Sequence, residues 1–141
     1  AGTLTGISGS TDLIKVGLVR KVIARGVSIG ETAVTGKARV IKNEKDLSLV
    51  SPGEIIIVDK NLLELLPFSK QITGIITDES LEKCLQVYKK IESNISTICQ
   101  LDSLINNIKD QDLITLQLNE GVIYKGQIEG THDLEEKYKY V

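Results

Sequence analysis

The stretch GIITDESLEKCLQVYKKIESNISTIC, residues 74–99, decides the fold class. Gly74 to Thr77 is a short apolar run that reads as a buried strand, and Ile95 to Cys99 reads as another. Between them the pattern changes period. Leu81, Cys84, Leu85, Tyr88 and Ile91 recur at spacings of three and four, which gathers them into one apolar stripe on a helix from Leu81 to about Ser93. Lys83, Gln86, Lys89, Lys90 and Glu92 fall mostly outside that stripe. Ser80 or Asp78 is placed to cap its start.

Upstream, Ser51-Pro-Gly is a turn, and Glu54 to Val58 is a continuous apolar strand of the kind buried on both faces. Asn61 is placed to cap a short helix over Leu62 to Lys70, with Pro67 limiting its first half. Ala33 to Lys42 is extended, and Gly36 within it marks a bulge or a close backbone approach. Lys21 to Ile29 is extended, broken by Gly26 and closed by Gly30, and Leu13 to Val19 is a further strand after a Gly-, Thr- and Ser-rich loop. Downstream, Leu101 to Ile108 reads as a short helix. Ile114, Leu116 and Leu118 alternate with Thr115 and Gln117 as in a half-buried strand, and Asn119-Glu-Gly121 turns into Val122 to Ile128 as a hairpin. Thr131 to Val141 is a polar tail. Strands first, then strands alternating with helices, then a closing hairpin, imply an α/β domain with a mixed parallel and antiparallel sheet.

Composition narrows the function. The 141 residues are 41% hydrophobic and 26% charged, which is enough for one real core. Lys and Arg number 17 against 19 Asp and Glu, a net charge of −2 that argues against a general nucleic-acid binder. Aromatics are 4% with no Trp, so stacking platforms are not expected either. No apolar run approaches the roughly 20 residues that span a bilayer, and no membrane partner is expected. The absence of methionine implies a chain that begins inside a longer product. Cys84 and Cys99 show no CxxC spacing, so the expectation is two buried thiols in a reducing cytoplasm rather than a metal site, with a Cys84–Cys99 disulfide as the alternative. The sequon Asn94-Ile-Ser96 reads as chance. His132, the one histidine, stands in the polar tail, where nothing suggests a catalytic arrangement.

Several segments resemble known families. Gly9-Ser-Thr-Asp-Leu-Ile-Lys-Val16 resembles the last strand of the pyruvate kinase C-terminal domain. Gly36 to Ile41, Pro52 to Val58, Gly74 to Thr77 and Asn119 to Gly126 resemble, in order, the phosphohistidine (swivelling) domain of phosphoenolpyruvate-utilising enzymes. Together they are similar to bacterial pyruvate kinases with an extra C-terminal domain. The resemblance implies a tail strand over residues 1–24, a three-layer β/β/α swivelling domain over 25–130 and a tail over 131–141.

Against that family's I-T-x-E-G-G-x-T-S-H-A-A segment, its Gly-Gly pair falls on Ser80 and Leu81 and its Thr-Ser-His on Lys83, Cys84 and Leu85. Its later Gly-Ile-Pro falls on Asn94, Ile95 and Ser96. Leu85 thus stands where the resemblance implies a phosphoryl-accepting histidine, and a leucine has no lone pair with which to attack phosphorus. Leu85 is instead expected to extend the apolar stripe, where full burial contributes roughly 1.5–3 kcal/mol. Cys84 is the one alternative nucleophile. The expectation is therefore no catalytic residue in this chain and a non-catalytic regulatory or assembly role. The implied parent transfers phosphoryl from phosphoenolpyruvate to ADP with Mg²⁺ and K⁺ bound in a separate barrel domain, and this chain itself holds no cofactor. Ser8, Gly9, Ser10 and Thr11 form a candidate phosphate or effector loop. The partners implied are the pyruvate kinase catalytic domains and neighbouring subunits, or a second copy through the strand Leu13 to Val19. Two other readings stay open: an active phosphotransfer domain, and a stand-alone module whose Lys83, Lys89 and Lys90 meet an acidic partner.

Overall fold

A computed structural model describes residues 21–102 and 107–126. The strand Leu13 to Val19, the loop Ser8 to Thr11, His132 and the tail lie outside the described residues, as does the centre of the expected helix Leu101 to Ile108.

Eight strands form one sheet: β1 (Val22–Arg25), β2 (Val27–Ile29), β3 (Ala33–Val40), β4 (Ile55–Ile57), β5 (Gly74–Ile76), β6 (Thr97–Cys99), β7 (Leu113–Gln117) and β8 (Val122–Lys125). Their order across the sheet is β1-β8-β7-β3-β4-β5-β6-β2. β3, β4, β5 and β6 run parallel, with Ala38 opposite Ile55, Ile56 opposite Ile75, and Ile76 opposite Ile98. The remaining pairs are antiparallel. This is an α/β arrangement with a mixed sheet. The helix α1 (Leu81–Lys90) crosses from β5 to β6, as parallel neighbours require.

The sheet is nearly closed, and one residue makes that possible. β1 and β2 lie at opposite ends of the strand order, yet only Gly26 separates them in the chain. The Gly26 N–H donates to Gly121 O at 2.9 Å, and a Cβ on Gly26 would lie 2.6 Å from Cys99 O. Gly121, at φ +67°, approaches from the other side: a Cβ there would lie 2.6 Å from Gly26 O. Side chains at either position would wedge the two backbones apart. Gly36 also marks a close approach, since its Cβ would meet Gly53 O at 2.7 Å.

Alternation in the central strands divides the interior in two. Ile55, Ile57, Ile76 and Ile98 face an inner core with Ala38, Ile114, Leu116 and Ile123. Ile56, Val58, Ile75 and Cys99 face an outer core with Cys84, Val87 and Tyr88 of α1. Ile55, Ile56 and Ile57 are therefore all buried. Leu101 and Ile108 are buried in the inner core.

Three expectations need correction. The helix over Leu62 to Lys70 reduces to a single 3-10 turn, Leu63–Leu65. Asn61 does not cap it; Asp59 Oδ1 instead accepts from the Asn61 and Leu62 N–H groups, while Pro67 has no N–H with which to extend the turn. Asn43 does cap a longer 3-10 segment, Glu44–Leu49, that the apolar pattern does not reveal. β7 is not half-buried at its centre, because Thr115 is buried beside Ile114 and Leu116. Its hydroxyl donates to Gly126 O at 2.8 Å and hydrogen-bonds Thr35 Oγ1 at 2.8 Å, so burial leaves it satisfied.

Candidate functional site

The carboxyl ends of β4, β5 and β6 and the amino terminus of α1 meet at one edge of the sheet, where ligands settle in open α/β folds. Thr77 to Ser80 carry the chain from β5 into α1. A helix N-terminus binds an anion when its N–H groups point at it. Here the Ser80, Leu81 and Lys83 N–H groups already have partners. The Ser80 N–H donates to Glu79 Oε1 at 2.8 Å, the Leu81 N–H to Gln100 Oε1 at 2.8 Å, and the Lys83 N–H to Ser80 Oγ at 3.2 Å. Gln100 reaches the helix from beyond β6 in a left-handed conformation, φ 57°, held by its N–H donating to Glu79 O at 2.8 Å. Asp78 Oδ1 accepts from the Lys60 N–H, so a second carboxylate stands at the same edge. The Glu79 and Asp78 carboxylates and the three occupied N–H groups together oppose a phosphate there.

α1 presents its side chains differently from the expected stripe. Cys84, Val87 and Tyr88 are buried, whereas Leu85 is 43% exposed. A step of about 100° per residue turns Leu85 off the face centred on Cys84 and brings Val87 onto it. The helix ends at Lys90 rather than Ser93. Leu85 therefore does not contribute the energy of a fully buried side chain.

Cys84 is fully buried in the outer core. A hydrogen bond with the Cys99 sulfur and burial both push its thiol far above the ordinary range, so the reactive thiolate is disfavoured. Cys84 and Cys99 are both free thiols. Tyr88 Oη and Thr97 Oγ1 share a buried hydrogen bond of 2.5 Å, which ties α1 to β6. The helix lysines are partly matched within the chain: Lys83 Nζ lies 2.9 Å and Lys90 Nζ 3.8 Å from the Glu64 carboxylate. The Lys83 hydrogen bond holds the Glu64 carboxyl below its usual range, and Glu64 raises Lys83 in return.

The most elaborate polar cluster escaped the sequence reading. Arg39 of β3 grips Glu54 through Nε–H (3.1 Å) and Nη2–H (2.8 Å) and reaches Asp110 through Nη1–H (2.9 Å). Gln111 Nε2 and the Ser51 N–H also donate to Glu54, at 2.9 and 2.8 Å. Its only signal in the chain is a carboxylate at the head of an apolar strand. The cluster fastens the turn before β4 to the loop before β7; Arg39 and Glu54 are largely buried in it, and Asp110 is its exposed member.

Among the described residues, no group of three or more His, Cys, Asp or Glu converges as metal ligands would, and no helix is long and apolar enough to cross a membrane.

No protein-family model matches the chain. It is 33% identical over 128 residues to pyruvate kinase 2 of Synechocystis sp., covering 91% of this chain and 22% of that enzyme. It is 33% identical over 127 residues to the pyruvate kinase of Staphylococcus haemolyticus, and 30% identical over 127 residues to that of Staphylococcus aureus, each covering 89% of this chain and 22% of the relative. The chain is thus related in sequence to pyruvate kinases and spans about a fifth of their length. Among solved structures, the microcin C7 self immunity protein MccF is similar with a TM-score of 0.52, 14% identity and coverage of 72% of this chain and 41% of that one. Streptomyces coelicolor RraAS2 is similar with a TM-score of 0.50, 13% identity and coverage of 92% and 83%. These two likenesses concern the fold alone.

Proposed function

We propose that this relative of pyruvate kinases is a non-catalytic regulatory or assembly domain of a pyruvate kinase-like enzyme, a swivelling phosphohistidine domain in degenerate form. One observation carries the reading. Leu85, where the resemblance implies the phosphoryl-accepting histidine, has no nucleophilic atom and stands on a helix at whose start the Ser80, Leu81 and Lys83 N–H groups are occupied by Glu79, Gln100 and Ser80 oxygens. The arrangement of two cores, one inside the curved sheet and one beneath α1, supports the β/β/α assignment. Burial of Cys84 removes support from the phosphocysteine reading.

The parent reaction in this proposal is phosphoryl transfer from phosphoenolpyruvate to ADP in the cytoplasm, with Mg²⁺ and K⁺ bound in a separate barrel domain. The domain's partners are then the catalytic domains and neighbouring subunits, with the loop Ser8 to Thr11 a candidate effector contact and Leu13 to Val19 either a strand of the preceding domain or a dimer contact. It acts by favouring one subunit arrangement, and such couplings are typically about 1–3 kcal/mol.

The test removes this domain from the full enzyme. Retained turnover with an altered effector response or subunit assembly is the expected result. Loss of phosphoryl transfer itself, in a folded truncated enzyme, would overturn the proposal.

A further inference from the structure

At the opposite end of α1 from Ser80, the loop entering β5 and the segment entering β6 border an open cleft of about 380 Å³. Phe68, Ile72, Ile91 and Ile95, all partly exposed, form the apolar half of its lining, and Ser69, Lys70, Gln71 and Ser93 form the polar half. That volume lies in the range of small-molecule sites, roughly 300–1,000 Å³, which combine apolar walls with a few polar groups.

We infer that this cleft binds a small organic anion with an apolar ring or chain. Phe68 and the three isoleucines take the body of the ligand, and Lys70 takes its charge. The lining holds one cation and no carboxylate. An ammonium has three N–H donors. Lys70 Nζ directs one to Val50 O at 2.7 Å, and among the described residues it forms no ion pair. A carbonyl partner holds the ammonium without neutralising it.

The walls are also pre-formed. The Lys70 N–H donates to Pro67 O (3.0 Å), Ile72 N–H to Lys70 O (2.8 Å), Gly53 N–H to Gln71 O (2.6 Å) and Ser93 N–H to Tyr88 O (3.2 Å). Phe68 packs edge-on against the buried Tyr88 ring, with centroids 6.5 Å apart. Binding therefore orders little of the protein, which conserves affinity. The inference goes beyond the regulatory reading and does not depend on it.

The test is a titration of the whole chain with 1-naphthoate and, separately, with neutral 1-naphthylmethanol, followed by NMR of the isoleucine methyls. Saturable shifts confined to Ile72, Ile91 and Ile95 are expected, with the anion bound about tenfold tighter than the neutral probe. Lys70→Gln should remove that preference. Because this change also deletes the Val50 contact, Ser93→Trp provides an independent variant: it fills the mouth from an exposed position and should block both probes. Shifts scattered over the surface, equal affinities for the two probes, or unchanged binding to Ser93→Trp would overturn the inference.

Discussion

Replacing Glu54 with glutamine tests how the domain holds its turns together. Glu54 and Arg39 side chains are 7% and 15% exposed, and the carboxylate accepts from Arg39 Nε and Nη2, Gln111 Nε2 and the Ser51 N–H. Glutamine removes the charge and turns an NH₂ group toward donors. Breaking a buried pair costs about 3–5 kcal/mol. Arg39 keeps Asp110 at 2.9 Å, and that carboxylate is 47% exposed, which sets the expected loss near about 3 kcal/mol. In a domain of this size that lowers Tm by about 12 °C. Urea denaturation followed by circular dichroism measures it. The pH dependence gives a second check. Burial pushes the Glu54 carboxyl up, but hydrogen bonds from Arg39, Ser51 and Gln111 outweigh it and leave the group below its usual range. A depressed carboxyl stabilises the fold above the unfolded value, about pH 4, and that contribution is lost as pH falls through the folded value. The gap between wild type and Glu54→Gln should therefore narrow on acidification. A loss under about 0.5 kcal/mol at neutral pH, or a gap indifferent to acid, would refute the reasoning.

The helix offers a paired comparison by denaturation: Leu85→Ala should cost under about 1 kcal/mol, because the side chain is 43% exposed, while Val87→Ala, at 3% exposure, should cost about 2 kcal/mol. Gly26→Ala forces a Cβ to within 2.6 Å of Cys99 O and should destabilise the fold by at least about 1–3 kcal/mol, read from the urea midpoint. Cys84 and Cys99 are both fully buried, so they should react with Ellman's reagent only as the protein unfolds; fast native labelling would contradict the placement of α1.

What could be read from residues alone followed from local periodicity. The triple isoleucine of β4 and the strand–helix–strand stretch over residues 74–99 announce themselves because burial on both faces and a helical stripe each leave a short-range pattern. Leu85 lies at the margin of that stripe, where spacing cannot distinguish a buried from an exposed leucine. The closure at Gly26 depends on β1 reaching β8 and β2 reaching β6, pairings between distant segments. The state of the helix N-terminus depends on Gln100, nineteen residues beyond Leu81. The Arg39–Glu54–Asp110 cluster likewise joins three separate segments. Such contacts are set by topology and leave no periodic trace.

Intact-mass spectrometry of the chain after incubation with phosphoenolpyruvate, alone and with the parent kinase, bears most directly on whether this domain carries phosphate. The account predicts an unchanged mass, since Leu85 offers no acceptor atom and Cys84 is buried. A gain of one phosphoryl group, mapped to Cys84 or to any side chain at the start of α1, would contradict it.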